Sequence, residues 1–417
     1  MKLNLLDKKS LIESFFSLSM LNGLNILLPF VTLPYIWRVV GVEKYGVYVF
    51  ILLLVQYCVI ISAYGFNFSA TKQVSQNRDD IKKLSEIFCS VIASRLLLAF
   101  CSLFILFATS FLYVKSRDEF LMLAWGVGIV FGDILVPVWL FQGVEKMRYL
   151  TVVNIISKGL FTVLIFVFIQ QSSDYKYIIL LNAFGYLTAG IISTVLVKRQ
   201  FGISFFVPKR AEIKFQLREG AALFGASASI ELYRNANIFL LRFFVSDAAV
   251  GLYAAAEKII KGLQSVVAPV AQALFPHFSL KFGKRTLAEN VGTIKRVALR
   301  IGGALLLLSV FTFCTAGLLS EILCGKEYSD NVILVKIMSP VIFFGGLNYI
   351  LGYLGLVNMN RQKVFFKYVL TGGLVSILFV LVATYFLGNV AAAIALTLSE
   401  VVLLVMCVLY FLKLQKS

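Results

Sequence analysis

Histidine is almost missing from this 417-residue chain: His277 stands alone, so no multi-histidine metal centre can form, and it suits a helix end better than a ligand set. Cysteine is sparse and poorly spaced. Cys58, Cys89, Cys101, Cys314, Cys324 and Cys407 contain no CxxC pair, and five of them lie in apolar runs, where cysteine is a small apolar filler. There is no G-x-x-x-x-G-K-[ST] loop, which excludes direct use of ATP through such a loop. H-E-x-x-H and G-x-S-x-G are also missing, and with them the metalloprotease and hydrolase signatures. Long polar segments are lacking too: no loop exceeds about 22 residues, which leaves no room for a soluble catalytic domain.

What is present is hydrocarbon. The chain is 60% hydrophobic and 14% charged, against about 45–50% and about 25% in soluble domains. Apolar stretches of about 20 residues recur from end to end, each able to cross about 30 Å of lipid. Twelve are expected, at about 14–36, 44–65, 86–113, 120–141, 150–170, 176–197, 220–245, 253–280, 297–319, 332–356, 368–387 and 390–412. The first is too long for a signal-peptide core and has no small-residue cleavage site, so it reads as a retained helix. The expected fold class is an all-α integral membrane protein.

A net charge of +18 invites a nucleic-acid reading, but its distribution argues against one. With the N-terminus inside, 25 Lys and Arg fall on the cytoplasmic side and six on the other: Arg38, Lys44, Lys115, Arg117, Lys176 and Lys326. This is the positive-inside asymmetry, so both termini are expected in the cytoplasm, with basic loops touching anionic headgroups. The longest connection, 198–219, carries Lys198, Arg199, Lys209, Arg210, Lys214 and Arg218 close to half-way. It reads as a linker between six-helix halves at 1–197 and 220–417. A faint repeat supports two halves. Val40-Gly41-Val42-Glu43-Lys44-Tyr45-Gly46-Val47-Tyr48 lies over Val245-Ser246-Asp247-Ala248-Ala249-Val250-Gly251-Leu252-Tyr253, an offset of 205 residues, matching at Val, Gly and Tyr. Six of the seven prolines sit inside spans, at 29, 34, 137, 269, 276 and 340, where each removes a helical hydrogen bond.

The remaining eight of the 39 cations lie within apolar runs: Arg95, Lys158, Arg234, Arg242, Lys258, Lys261, Arg300 and Lys336. Each costs about 2.5–3.5 kcal/mol at mid-membrane on insertion scales, so a partner or a function is expected. At 1.5 Å per residue, Arg95, Asp133 and Lys158 lie at one depth of about 12 Å on consecutive spans. Arg95 and Asp133 can pair, which leaves Lys158 as surplus charge. In the seventh span Ser227, Glu231, Arg234, Asn235 and Arg242 share an arc of about 100°, a polar stripe that must face protein or water. In the eighth, Glu257, Lys261, Gln264 and Gln272 share a face, and Glu257 can pair with Lys261. Glu400 is isolated near the middle of the last span, as either a counter-ion or a protonatable coupling residue. Arg300, Lys336 and Lys258 lie near span ends and are expected to snorkel to the interface.

Several stretches resemble one family. Leu33-Pro34-Tyr35-Ile36-Trp37-Arg38-Val39-Val40-Gly41 with Tyr45-Gly46 is similar to the first-helix exit of polysaccharide exporters. Ser69-Ala70-Thr71-Lys72 with Asn77-Arg78-Asp79-Asp80, and Trp139-Leu140-Phe141-Gln142-Gly143-Val144-Glu145-Lys146-Met147, resemble their following loops. Asp247–Ile260 and Ala273-Leu274-Phe275-Pro276 complete the set. Together these resemble the O-antigen flippases (Wzx-type) of the multidrug/oligosaccharidyl-lipid/polysaccharide (MOP) superfamily. The resemblance implies twelve helices in two six-helix lobes around a cavity, in the bacterial inner membrane. It implies an undecaprenyl-diphosphate-linked oligosaccharide as cargo, moved by alternating access. No cofactor is implied, although ion coupling is open. Polysaccharide polymerase and chain-length machinery are the implied partners, besides membrane lipids. Candidate substrate cations are Arg234, Arg242, Lys261, Lys158, Arg95 and Arg38, and candidate partner or coupling acids are Asp133, Glu231, Glu257 and Glu400. Two other classes compete. A cation-coupled drug exporter of the same superfamily would need an acidic cavity, whereas deep cations outnumber deep acids in spans 3–8. A membrane polymerase would need a long outer loop, and the longest here, about 320–331, is short.

Overall fold

The computed structural model describes residues 28–282 and 286–416, with the backbone alone given for 222–223, 226–234, 272–273, 276–277, 279–281, 327 and 416. The start of the first expected span lies outside them. The described residues are helical, with no strand among them. Among the described residues, nine helical segments are long and apolar enough to cross a membrane, and they match spans 2–6 and 9–12. The other three expected spans correspond to a shorter apolar helix α1 (Leu28–Val40) and to two interrupted pairs. These pairs are α9 (Arg210–Arg234) with α10 (Ala236–Phe244), and α11 (Asp247–Gln264) with α12 (Val267–Phe282). Large apolar side chains stand outward along the spans, among them Phe104, Leu307 and Phe386 at 73–77% exposure, as in a surface whose solvent is lipid.

The chain forms two compact units. One runs to Thr32 and resumes over Tyr48–Glu231; the other joins Leu33–Val47 to the residues from Leu232 onward.

The first unit contains most of α2 (Val42–Ala63), then α3 (Phe66–Gln76), α4 (Ile81–Ala108), α5 (Arg117–Ile134), α6 (Val138–Gly143), α7 (Met147–Phe168), α8 (Tyr177–Phe201) and most of α9. Starts are set by side-chain caps: Asp80 accepts from the Lys83 amide and Ser116 from the Glu119 amide. Lipid supplies no hydrophobic drive between helices, so small residues set close packing. On α5, Gly132 meets the Tyr186 backbone and Gly128 meets Ala183; on α8, Gly190 meets Leu135. A Cβ at Gly132 would stand 2.5 Å from the Tyr186 carbonyl carbon. One end of the unit has a conventional core of Phe66, Val74, Phe88, Trp139, Phe141 and Val197. The W-L-F-Q-G-V-E-K-M stretch builds this corner. Trp139 and Phe141 are fully buried, Gly143 abuts Val74, and Glu145 pairs with Arg78 at 2.6 Å.

The second unit adds α13 (Leu287–Cys314), α14 (Ala316–Cys324), α15 (Asn331–Met338), α16 (Pro340–Tyr349), a π-helical segment Ile350–Val357, α17 (Gln362–Leu387) and α18 (Asn389–Lys416). The tenth span is thus broken twice: Pro340 opens a new helix after Ser339, and the π segment follows Tyr349. The nine-residue repeat has a direct structural meaning. A Cβ on Gly46 would lie 1.9 Å from the Asp247 carbonyl oxygen, and one on Gly251 would lie 2.1 Å from that of Val42. Residues 42 and 247, like 46 and 251, are repeat equivalents, so the two copies cross in a self-complementary contact that only glycine permits. Beside it Trp37 packs edge-on to Tyr45 at 5.8 Å and lies 6.4 Å from Tyr328. Ile36, Trp37, Val40 and Tyr45 of the first-helix exit motif are therefore buried packing.

Candidate functional site

Pro137 organises the charge cluster of the first unit. It has no N–H to offer the Asp133 carbonyl one turn back, and the Val138 amide turns instead to the Val136 carbonyl at 3.0 Å. α5 therefore ends with the Ile134 carbonyl open and the Asp133 carbonyl holding only the tighter Val136 amide bond, at 3.2 Å. Arg95, on α4, closes them: Nη1 donates to the Asp133 and Ile134 carbonyl oxygens at 3.2 and 3.4 Å, and Nη2 to Asp133 Oδ2 at 2.5 Å. The Arg95 side chain is 5% exposed and that of Asp133 is 30% exposed. Arg95 thus locks a proline-broken helix and presents Asp133 outward.

Asp133 reaches a cavity of about 420 Å³ whose polar wall also holds Asn154, Ser157, Lys158, Asn182 and Tyr186, with Thr32 of α1 alongside. Asn154 and Lys158 are one turn apart on α7; Asn182 and Tyr186 are one turn apart on α8. Ser157 Oγ donates to the Gly185 carbonyl at 2.6 Å and fixes α7 against α8. Asp133 and Lys158 thus share one cavity, while Arg95 stands behind it, off the wall. The wall combines a cation, amides and hydroxyls, which suits an anionic group joined to polar ones.

The second unit sorts its charges differently. Arg242, 3% exposed, pairs with Asp247 across the α10–α11 turn, so its charge is met there by an acid. Lys261 pairs with Glu257 at 2.5 Å, with side chains 39% and 7% exposed: the acid is inside and the ammonium reaches out. Arg38 donates to the Ile322 carbonyl and closes the last turn of α14. Asn348 of α16 donates through Nδ2 to Glu400 Oε2 at 2.7 Å and to the Glu400 carbonyl at 2.8 Å. Gln264, the last residue of α11, packs with Glu400 around Gly345. Glu231 and Arg234 lie on the last turn of α9, where the side chains are outside the described residues, as are those of Gln272 and His277. Lys336 sits 5.7 Å above the Phe313 ring, and Arg300 and Lys258 are exposed. Sequence reasoning missed Asn154, Asn182, Tyr186 and Asn348, of which the first three form i,i+4 pairs within apolar spans.

The fold and the polar, lysine-bearing cavity define a multi-pass membrane protein built like a transporter. The sequence then places the chain: residues 11–281 match the model of the family described as "Polysaccharide biosynthesis protein", and the protein belongs to that family. It is 31% identical over 405 residues to a protein of Escherichia coli (strain K12) named "Putative O-antigen transporter", covering 94% of this chain and 95% of the relative. A Shigella dysenteriae protein of the same name is 26% identical, covering 96% and 99%. The fold matches the lipid II flippase MurJ in an inward closed conformation, with TM-score 0.75 at 12% identity over 98% and 90% of the two chains. It also matches an inward-facing multidrug-resistance MATE transporter of the MOP superfamily, with TM-score 0.73 at 14% identity over 94% and 96%.

Proposed function

We propose that this protein is an O-antigen flippase, which moves an undecaprenyl-diphosphate-linked oligosaccharide from the cytoplasmic to the periplasmic leaflet of a bacterial inner membrane. The observation that carries the reading is the cavity of Lys158, Asn154, Asn182 and Tyr186 in a chain similar end to end to proteins named as O-antigen transporters. A diphosphate and a glycan lose their hydration in hydrocarbon. A cation restores part of it for the phosphates, and amides and hydroxyls restore part for the sugars. Lys158 is assigned to the phosphates, with Lys261 and Arg234 as further cations on the cargo's route. The polyprenyl tail stays in lipid.

The asymmetry of basic loops supports cytoplasmic termini. Alternating access is the mechanism we favour, because a fixed passage wide enough for a glycan would leak ions. Glu400, held by Asn348, is the acid we assign to ion coupling, the ion being open. Polymerase and chain-length proteins are the expected partners downstream. The test is complementation of a flippase-null strain whose O-unit structure is defined, scored by surface polysaccharide. Restoration by the wild type and its loss in Lys158→Gln, at equal membrane levels of protein, are expected. Full surface polysaccharide with both Lys158→Gln and an Arg234→Ala/Lys261→Ala double variant would overturn the cation assignment.

A further inference from the structure

An apolar groove of about 500 Å³ runs along the second unit between α13, α16 with the π segment, and α18. Its α13 wall is Val291, Lys295, Ala298, Leu299, Gly302 and Leu306, a stripe of one helical face. The α18 wall is Leu404, Val408, Phe411 and Gln415, again at helical spacing. Two features make it more than a lipid-facing dent. First, it is polar at one end only, where Lys295 and Gln415 close it, and the exposed cations Arg296 and Lys413 follow within two residues. Lys295 makes no ion pair among the described residues, and Glu289, the nearest acid before it on α13, is held in the Thr286 capping box. Second, the length fits. Lys295 to Leu306 spans about 16 Å of helix, which matches half of the ~30 Å hydrocarbon core. The groove therefore runs the depth of one leaflet, with its cation at headgroup level. A comparable groove of about 460 Å³ between α7 and α8 has no cation on its wall.

We propose that this groove is a single-leaflet binding site for an anionic glycerophospholipid, with an acyl chain lying between α13 and α18 and its phosphate against Lys295. Gly302 and Gly303 shape the floor. A Cβ at Gly302 would meet Leu347 at 3.2 Å, whereas one at Gly303 would meet nothing within 4 Å. Gly303→Leu therefore projects into the groove without disturbing the core. The site stands apart from the cargo reading.

The test is native mass spectrometry of the full-length protein, released from detergent with equal phosphatidylglycerol and phosphatidylethanolamine. Preferential retention of phosphatidylglycerol is expected. Lys295→Gln should cut that preference about fivefold, the usual worth of one lysine near an anionic headgroup. Gly303→Leu should lower retention of both lipids while the protein stays monodisperse with an unchanged melting temperature. Lys176→Gln, whose lysine pairs with Asp118 in the other unit, should change nothing. Equal retention of the two lipids, or an unchanged preference in Lys295→Gln, would overturn the site. So would unchanged retention in Gly303→Leu. Displacement of phosphatidylglycerol by a polyprenyl diphosphate would overturn the phospholipid assignment and give the groove to the cargo.

Discussion

Replacing Arg95 by leucine removes three hydrogen bonds at once, one of them the ion pair with Asp133. Left behind are the Asp133 carboxylate, the Ile134 carbonyl without a helical donor, and the Asp133 carbonyl with only the Val136 amide. Breaking a buried pair from one side costs about 3–5 kcal/mol. Asp133 keeps 30% of its side-chain surface open to the cavity, and partial solvation places the cost at the lower end, about 3 kcal/mol. That is roughly a hundredfold in an equilibrium constant and about 5–10 °C in the apparent melting temperature of a unit this size. Asp133→Asn keeps the acceptor and both carbonyl bonds, so it should cost less, about 1–2 kcal/mol. Arg95→Lys keeps the charge but loses the planar fork that reaches three acceptors, and should fall between the two. Heating detergent-solubilised protein and measuring the monodisperse fraction by fluorescence-detected chromatography gives the order. An Arg95→Leu variant that melts with the wild type, or an Asp133→Asn variant that melts lower than Arg95→Leu, would refute the capping role.

Four further outcomes follow. Lys158→Gln should melt like the wild type yet lose most surface polysaccharide, the opposite profile to Arg95→Leu. Gly46→Ala and Gly251→Ala should each sharply lower the melting temperature, because the new methyl meets a backbone carbonyl. Gly292→Ala, with nothing within 4 Å, should stabilise by about 0.5–1 kcal/mol in the same thermal assay. Glu400→Gln preserves the Asn348 contact in size but not in charge. It should reduce complementation while membrane levels hold, and normal complementation would remove Glu400 from the coupling assignment.

Much of the fold was readable because hydrophobicity and proline act locally. Run length marks the spans, and Pro137 marks a lost helical hydrogen bond inside the fourth, where α5 in fact stops. Even the Arg95–Asp133 pair followed from depth, since 1.5 Å per residue holds in any helix. What did not follow depends on which faces meet. Asn154 with Lys158 and Asn182 with Tyr186 are visible as i,i+4 pairs, but only the α7–α8 packing through Ser157 and Gly185 turns both toward one cavity. Helical phase placed Arg242 on the α9–α10 stripe, whereas its nearest acid, Asp247, lies around a turn where that phase no longer applies. The repeat announced that Gly46 and Gly251 are equivalent; their mutual contact is tertiary. The sequence motifs that resemble the family mostly mark corners, because Trp37, Trp139 and Gly143 are buried packing residues.

Six of the cations divide by chemistry. Arg38 donates to one carbonyl in the last turn of α14, and Arg95 to two at the end of α5, while Arg242 meets a carboxylate at a helix start. Each uses the planar, multi-donor guanidinium to satisfy backbone or acid that the apolar surroundings would otherwise leave exposed. Three lysines stand elsewhere: Lys158 on a cavity wall, Lys261 reaching out from Glu257, and Lys295 at the mouth of an apolar groove. A flexible ammonium can follow a phosphate that moves; a guanidinium tied to three acceptors cannot. On this argument Lys→Arg at 158 should impair transport although the charge is kept, because the larger fork would seek fixed partners such as Asp133 on the same wall. Arg→Lys at 95 should impair stability more than transport. Equal effects of the two exchanges on both readouts would show that charge alone, and not the form of the cation, decides where each is used.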